Sequence, residues 1–172
     1  MPGDYHLSFA TELTPHDSSN DPVARFLRDH WGSMQIVSRG KLTDVSKVSR
    51  VIATDAGGHI MGLATFVIDH TAGTCELVSL DATVRRQGIG RALVAKVEEA
   101  AKNAGCHELW LITTNGNPEA AVFYVHVGFR LTSVHLDALD QSRKLKPEIP
   151  KTSEDGLPIQ DEWEFRKVLT GT

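Results

Sequence analysis

Several features that define large classes of protein are scarce or missing in this chain of 172 residues. Cysteine occurs only twice, at Cys75 and Cys106, which is too few for a disulfide framework and gives no metal-binding spacing. No apolar run approaches the ~20 residues that a membrane span needs, and the first residues lack the basic and apolar regions of a signal peptide. These absences predict a cytoplasmic protein with reduced thiols, no metal and no membrane partner.

An excess of basic residues is also missing. The 18 Lys and Arg are outnumbered by 22 Asp and Glu, so the formal net charge is -4. A protein that binds nucleic acid usually presents a basic face, and this balance argues against such a partner. The length and the 41% of hydrophobic residues suit one core, and we expect a single domain over residues 1–172.

The residue patterns that are present alternate between strand and helix periods, which predicts one α/β unit. In the first half, Asp21-Pro22 reads as the cap and first turn of a helix that ends before Gly32. Strands are expected at Tyr5 to Leu13, Ser46 to Thr54, His59 to Asp69 and Thr74 to Leu80, with antiparallel pairing across the turns that separate the last three.

The second half begins with a helical period. Ile89, Leu93, Val97, Ala100 and Ala104 form one apolar stripe, and Gly105 ends the helix. The chain then returns to a strand at Glu108 to Thr113, which must run parallel to the strand before the helix. A short helix after Asn117-Pro118 ends at Gly128, and a last strand covers Glu162 to Val168.

The segment from Val78 to Gly90 carries the strongest functional signal. It predicts a strand, then a turn that contains arginines and glycines, and then the start of a helix. Gly88 and Gly90 let backbone N–H groups approach an anion, and the helix adds its positive end. A dinucleotide fingerprint is excluded because Leu93 replaces its third glycine, and a Walker A loop is excluded because no Gly-Lys-Ser/Thr occurs. The turn therefore predicts phosphate binding of another kind.

Two motifs give the chain a resemblance to a known family. Arg85-x-x-Gly88-x-Gly90 followed by Arg91-Ala92-Leu93 resembles the acyl-CoA pyrophosphate loop of the GCN5-related N-acetyltransferases, the GNAT superfamily. Downstream, Asn117 to Tyr124 followed by Gly128-Phe129 is similar to the cofactor-side helix of the same family. The resemblance covers residues Thr74 to Arg130 closely.

The resemblance implies a mixed, mostly antiparallel twisted sheet of about six or seven strands flanked by helices, with one parallel pair splayed to receive acyl-CoA. It implies an N-acetyltransferase that moves the acetyl group of acetyl-CoA to a primary amine of a small molecule or peptide by direct attack. The residues that it places around acetyl-CoA are Leu80, Asp81, Ala82, Arg85, Arg86, Gln87, Gly88, Ile89, Gly90, Arg91, Asn117 and Tyr124.

Three residues receive catalytic roles from the resemblance. The backbone N–H of Leu80 would face the thioester carbonyl, Tyr124 would protonate the departing thiolate, and Glu76 is the first candidate for the general base. Glu76 shares strand parity with Leu80 unless a bulge intervenes. His70, Asp81 or a chain of water molecules are alternatives for the base.

The segment from Asp137 to Asp161 is the least typical of the family. We expect a short helix over Asp137 to Lys144 and then an excursion stiffened by Pro147, Pro150 and Pro158. This arm is either a solvated loop or a lid that shapes acceptor choice or a homodimer contact. A catalytically silent acyl-CoA-binding regulator and a pure interaction module remain alternatives to the enzyme.

Overall fold

The computed structural model describes residues 7–13 and 21–170, and these form nine strands and four helices. The strands are β1 (Ser8–Glu12), β2 (Gln35–Ser38), β3 (Lys41–Asp44), β4 (Ser49–Thr54), β5 (Ile60–Asp69), β6 (Thr74–Ala82), β7 (Glu108–Thr114), β8 (Arg130–His135) and β9 (Glu162–Val168). The helices are α1 (Pro22–Trp31), α2 (Ile89–Asn103), α3 (Pro118–His126) and α4 (Ala138–Leu145).

The bounds expected from sequence agree closely with these elements. Asp21 caps α1 by accepting a hydrogen bond from the Val23 N–H, and Gly32 ends it in the left-handed conformation. The strand expected from Ser46 starts later, because the Asp44 carboxylate accepts hydrogen bonds from both the backbone and the hydroxyl of Ser46 and folds a turn there. Tyr5 and His6 of the first expected strand lie outside the described residues.

Seven strands form the main sheet in the order β1-β4-β5-β6-β7-β9-β8. All neighbours are antiparallel except β6 and β7, which α2 connects as a parallel pair. This is the mixed, mostly antiparallel sheet that the family resemblance implied. The last strand of the chain lies between β7 and β8, so the sheet order departs from the chain order at that edge.

Each face of the sheet packs on its own set of elements. On one face, α2 and α3 cover a cluster that includes Phe66, Leu77 and Phe165. On the other face, α1 covers a smaller cluster that includes Leu27, Ile52 and Leu63. The fully buried side chains of α2 differ partly from the expected stripe: Val94 and Ala101 are buried, whereas Ala100 and Ala104 lie at the margin, because the contact stripe of a helix is wider than one row.

Strand β6 carries a bulge where it passes β5. Phe66 pairs with Leu77 and Thr65 pairs with Ser79, so Val78 is the extra residue. Beyond the bulge the side chains change face: Val78 packs in the α1 cluster and Leu80 in the α2 cluster. Glu76 therefore does not share a face with Leu80, as the uninterrupted parity would have required.

The sequence did not predict β2 and β3. They form a separate two-stranded sheet whose turn, Arg39-Gly40, has both residues at positive φ. Ile36 packs in the α1 cluster and Thr43 is buried, so one side of this hairpin faces the main sheet.

The arm from Asp137 to Asp161 is held in shape by its own contacts, although most of residues 147–158 are exposed. It begins with α4, one residue beyond the expected start, and its two sides meet at a bridge between Thr152 and Pro158. The Arg143 guanidinium donates hydrogen bonds to the carbonyl groups of Ile149, Pro150 and Ile159, and so holds the arm in shape.

Candidate functional site

The turn between β6 and α2 has the geometry of an anion site. Gly88 precedes the helix in the left-handed conformation, at φ 76°, and Arg86 also has a positive φ. No side chain caps the first turn of α2 and that turn contains no acidic residue, so its N–H groups keep their positive character. A Cβ built on Gly88 meets no atom within 4 Å, which leaves open space beside the backbone. Residues 83–88 are all exposed, as a phosphate ligand requires.

Two arginines at the turn, Arg85 and Arg91, contact α3. The Arg85 guanidinium lies 2.7 Å from the Glu119 carboxylate, and both side chains are largely exposed. Arg91 donates a hydrogen bond to the carbonyl of His126. An exposed ion pair of this kind contributes little to stability, so Arg85 can exchange Glu119 for a phosphate at low cost.

Gly90 serves packing as well as anion approach. A Cβ at this position would lie 3.2 Å from the Phe123 ring, tighter than an ordinary contact. The start of α2 and the middle of α3 therefore touch through a glycine, which brings the two expected cofactor motifs together.

Strands β6 and β7 separate immediately after they meet. Their pairing consists of Thr74 with Glu108, Cys75 with Leu109 and Glu76 with Trp110, although both strands continue beyond these pairs. The edges of residues 77–82 and 111–114 thus face each other without ladder hydrogen bonds. This V-shaped opening is the splay that the resemblance implied, and it opens toward the turn at Gly88.

Helix α3 borders the opening and carries two expected residues. The Asn117 side chain caps the helix by accepting a hydrogen bond from the Ala120 N–H at 3.2 Å. Tyr124 packs edge-on against Phe123 and Phe129, with ring centroids 5.2 and 5.7 Å apart. Burial, and secondarily the negative charge of Asp81, raise the pKa of the Tyr124 phenol. Among the described residues no side chain or backbone group forms a hydrogen bond with that hydroxyl.

Glu76 lies at the apex of the V. Its side chain is 8% exposed, and burial raises the pKa of its carboxyl, opposed by the nearby Ser38 hydroxyl and by the charges of Lys41 and Arg39. The Ser38 Oγ is fully buried yet lacks a hydrogen-bond partner of ordinary geometry. Glu76 thus faces the β2–β3 hairpin, on the opposite face of the sheet from Tyr124.

Two further buried carboxylates hold this hairpin in place. Glu162 accepts hydrogen bonds from the Arg39 N–H at 3.1 Å and from the Ser142 hydroxyl at 2.9 Å. Glu164 accepts from the Arg39 guanidinium, from His135 and from Arg166. Sequence reasoning missed both residues, because charged side chains that alternate along a strand normally face solvent.

The arm meets the mouth of the V at the end of β7. The Asn115 side chain donates to the Pro158 carbonyl and accepts from the Gln160 and Asp161 N–H groups. Gly116 leaves room for Ile159, which a Cβ would overlap at 2.6 Å. The arm therefore contacts the chain at Asn115 and Gly116, immediately before Asn117.

The other two residues considered for the general base, His70 and Asp81, lie at different places in the structure. His70 is exposed in the turn before β6, at the far end of that strand from Leu80, and the charge of Asp81 acts on the Tyr124 phenol. Within residues 7–13 and 21–170, no group of three or more His, Cys, Asp or Glu side chains could hold a metal ion. In the same residues, no helix combines the length and the apolar character that crossing a membrane requires.

Comparison with known proteins agrees with this geometry. The acetyltransferase (GNAT) family model matches residues 15–129. The uncharacterized protein YdhI of Bacillus subtilis (strain 168) is 38% identical over 144 residues, which cover 84% of this chain and 89% of YdhI.

Solved structures share the fold at low sequence identity. A Bacillus subtilis acetyltransferase in complex with CoA superposes with a TM-score of 0.64 at 18% identity, covering 95% of this chain and 100% of the other. A GNAT family acetyltransferase from Elizabethkingia anophelis with acetyl-CoA bound gives a TM-score of 0.63 at 18% identity, over 95% and 98% of the two chains. The chain belongs to the GNAT acetyltransferase family.

Proposed function

We propose that residues 1–172 form one N-acetyltransferase domain that moves the acetyl group of acetyl-CoA to a primary amine of a small molecule or peptide. The observation that carries the proposal is the early end of the parallel pairing. Strands β6 and β7 pair at three positions and then separate, beside the start of α2, which contains glycine and has no side-chain cap. A cleft between two strand edges suits an extended amide-containing arm, and the helix start suits its phosphates.

The phosphate end of acetyl-CoA is assigned to the turn. The open space beside Gly88 and the free N–H groups of the first turn of α2 fit a pyrophosphate, and Arg85, Arg86 and Arg91 supply positive charge around it. Gln87 and Ile89 contribute backbone from the same turn. Asn117, Asp81 and Ala82 line the path between this turn and the reacting end.

Acetyl-CoA supplies a thioester whose carbonyl carbon takes the amine nitrogen and whose sulfur leaves as a thiolate. The Leu80 N–H donates a hydrogen bond to the carbonyl oxygen as it gains negative charge, which in comparable sites contributes about 3 kcal/mol. Tyr124 gives its hydroxyl proton to the sulfur as the C–S bond breaks. Solvent then returns a proton to the phenolate.

Glu76 takes the proton that the amine must lose. An alkylammonium group has a pKa of about 10.4, so almost all of the acceptor arrives protonated at neutral pH and a base is required. The carboxyl of Glu76 is buried with a raised pKa, which makes it a better proton acceptor than an ordinary surface carboxylate. It approaches the apex of the V from the face opposite Tyr124, and this suits donor and acceptor molecules that enter from different sides.

Two measurements on the purified protein test the proposal. Acetyl-CoA is expected to raise the melting temperature, and thiol release is expected when amino acids, polyamines, aminoglycosides or N-terminal peptides are added in turn. Stabilisation without thiol release from any amine would instead identify a silent acyl-CoA-binding regulator. If acetyl-CoA neither stabilises the protein nor releases thiol, the interaction module remains as the function.

A further inference from the structure

The apex of the V carries three polar groups whose bonding is incomplete. Glu76 is more than nine-tenths buried, and among the described residues the one donor beside its carboxylate is the Ser38 hydroxyl. The Ser38 Oγ that neighbours it is buried and without a partner. Buried polar atoms are normally satisfied, so a buried carboxylate whose one neighbouring donor is a hydroxyl of poor hydrogen-bond geometry indicates a place for a ligand that donates hydrogen bonds.

Lys41 belongs to the same arrangement through the register of the hairpin. Ser38 pairs with Lys41 directly across the Arg39-Gly40 turn, and opposite residues of an antiparallel pair point to the same face. Ile36 and Thr43, which share that face, pack toward the main sheet. Lys41 therefore projects from the sheet-facing side of the hairpin at its tip, where it is exposed.

The remaining charges around the apex are already matched. Both oxygens of Glu162 accept hydrogen bonds, as do both oxygens of Glu164. Arg39 and Arg166 each pair with Glu164. Among the residues that the structure describes, the Lys41 side chain forms no close ion pair or hydrogen bond, although its charge acts on Glu76, and it is the cation of this group that stays open.

We infer that the acceptor is an amine that also carries a carboxylate, such as an amino acid, with its amine between Ser38 and Glu76 and its carboxylate on Lys41. One open carboxylate and one open cation complement a molecule with one charge of each sign. A polyamine would bring a second positive charge, and the described residues around the apex leave no second open carboxylate for it. The inference rests on the proposed function and names the acceptor of that reaction.

Matched acceptors test the inference. Thiol release from acetyl-CoA is measured with a panel of amino acids, with the corresponding amino acid amides, and with spermidine. Because a hydrogen bond to a charged group contributes about 1.5–3 kcal/mol, the acids are expected to have a KM about 10- to 100-fold below that of their amides. Lys41→Met should raise the KM for the acid toward that of the amide and leave the amide unchanged, and Lys41→Arg should restore much of the difference.

The amide also serves as the internal control, because any effect of Lys41 on Glu76 acts on both acceptors. Lys47→Met, at an exposed lysine beside Asp44 just after the hairpin, should change neither acceptor. Ser38→Ala should raise the KM for acid and amide alike, since both present the amine to that hydroxyl.

The outcomes separate this inference from the proposed function. Equal or better use of amides or spermidine would keep the acetyltransferase and overturn the carboxylate on Lys41. If no amine releases thiol, the proposed function fails, and calorimetric titration of the amino acids into the CoA-saturated protein decides the inference. Binding of the acid that Lys41→Met abolishes would support it, and no binding, or equal binding of acid and amide, would overturn it.

Discussion

At the scale of single residues, Tyr124 has the surroundings of a proton donor. Its ring packs among Phe123, Phe129 and Phe165. Its hydroxyl forms no hydrogen bond with any of the described residues. A raised pKa keeps the phenol protonated through the physiological range, so the proton is available whenever a thiolate forms.

Tyr124→Phe is expected to slow acetyl transfer by about 10²- to 10⁴-fold while acetyl-CoA affinity stays nearly unchanged, because the ring and its packing remain. Single-turnover transfer at saturating acceptor and donor, beside a melting curve, measures both. A hydroxyl that only satisfied a buried acceptor would give the reverse, a stability loss of about 1–3 kcal/mol with little change in rate. Full single-turnover activity in a folded variant would assign the proton donation to solvent.

The Glu76 carboxyl, the proposed general base, also affects the stability of the fold. Its pKa is raised above the usual 4.5, so the folded protein binds this proton more tightly than the unfolded chain does. The folded state is therefore favoured as the pH falls through the raised pKa, and that contribution is lost as the pH rises above it.

Glu76→Gln is accordingly expected to raise the free energy of unfolding at pH 7, because it removes a buried charge, and to lose this advantage as the pH falls toward 4.5. The same change should slow acetyl transfer and remove the acidic limb of its pH profile. Denaturant titrations at several pH values measure the first effect. A variant with wild-type rate and pH profile would shift the role of base to Asp81 or to water.

At the scale of elements, the start of α2 depends on a backbone that only glycine adopts readily. Gly88 and Gly58 make a matched pair: both have positive φ, 76° and 81°, and a Cβ on either meets nothing within 4 Å. Their difference is position, since Gly58 lies in the β4–β5 turn.

Gly88→Val is expected to abolish most of the stabilisation by acetyl-CoA, which for wild type at ~100 times the dissociation constant is about 2.7 kcal/mol. Gly58→Val should incur a similar backbone strain, about 1–3 kcal/mol, and keep the full ligand effect. Thermal melts of the three proteins with and without acetyl-CoA give the comparison. An unchanged ligand shift in the Gly88 variant would contradict the assignment of phosphates to this turn.

The arm is an element whose two anchors lie on different sides of the site. Asn115 holds its return at the mouth of the V, and Lys146 donates to the Gln35 carbonyl of the β2–β3 hairpin. Replacing residues 147–157 with a short Gly-Ser linker is expected to change the acceptor KM and leave acetyl-CoA affinity within about threefold, since α4 and Asn115 remain. Loss of CoA binding in the folded, shortened protein would place the arm in the cofactor site.

At the scale of the whole molecule, local signals predicted most elements but not their long-range arrangement. Caps at Asp21 and Asn117, and the period of α2, were readable because they depend on neighbours in sequence. The insertion of β9 between β7 and β8 depends on pairing between distant segments, which no local pattern encodes. The bulge at Val78 has no glycine or proline to mark it, so the change of face between Glu76 and Leu80 was hidden.

The β2–β3 hairpin was missed for a related reason. Its two-residue turn needs positive φ at both positions. An Asn or Asp at the first position would have indicated such a turn in the sequence, but Arg39 occupies that position. Arg39 is explained instead by its contacts with Glu162 and Glu164, which are far away in sequence. The proposed acceptor side of the site could therefore not be predicted from the sequence, whereas the proposed cofactor side, built from contiguous motifs, could be.

Acetyl-CoA is expected to slow backbone hydrogen exchange on both edges of the V, residues 77–82 and 111–114, because it offers hydrogen-bond partners to groups that now face each other unbonded. Exchange mass spectrometry with and without the ligand measures this, and β4, far from the V, serves as the reference for general stabilisation. Protection confined to residues 83–92 would mean that only the phosphate end is bound.

The separation of β6 from β7 also falls at a boundary in the chain. The strands β1, β4, β5 and β6 come from residues before 83, and β7, β8 and β9 come from residues after 107. Helix α2 packs on the first group and α3 on the second. The cleft is thus a seam between two consecutively synthesised half-structures, joined in the sheet by three residue pairs. A ligand laid along that seam completes the bonding across the sheet, so occupancy and the rigidity of the whole molecule rise together.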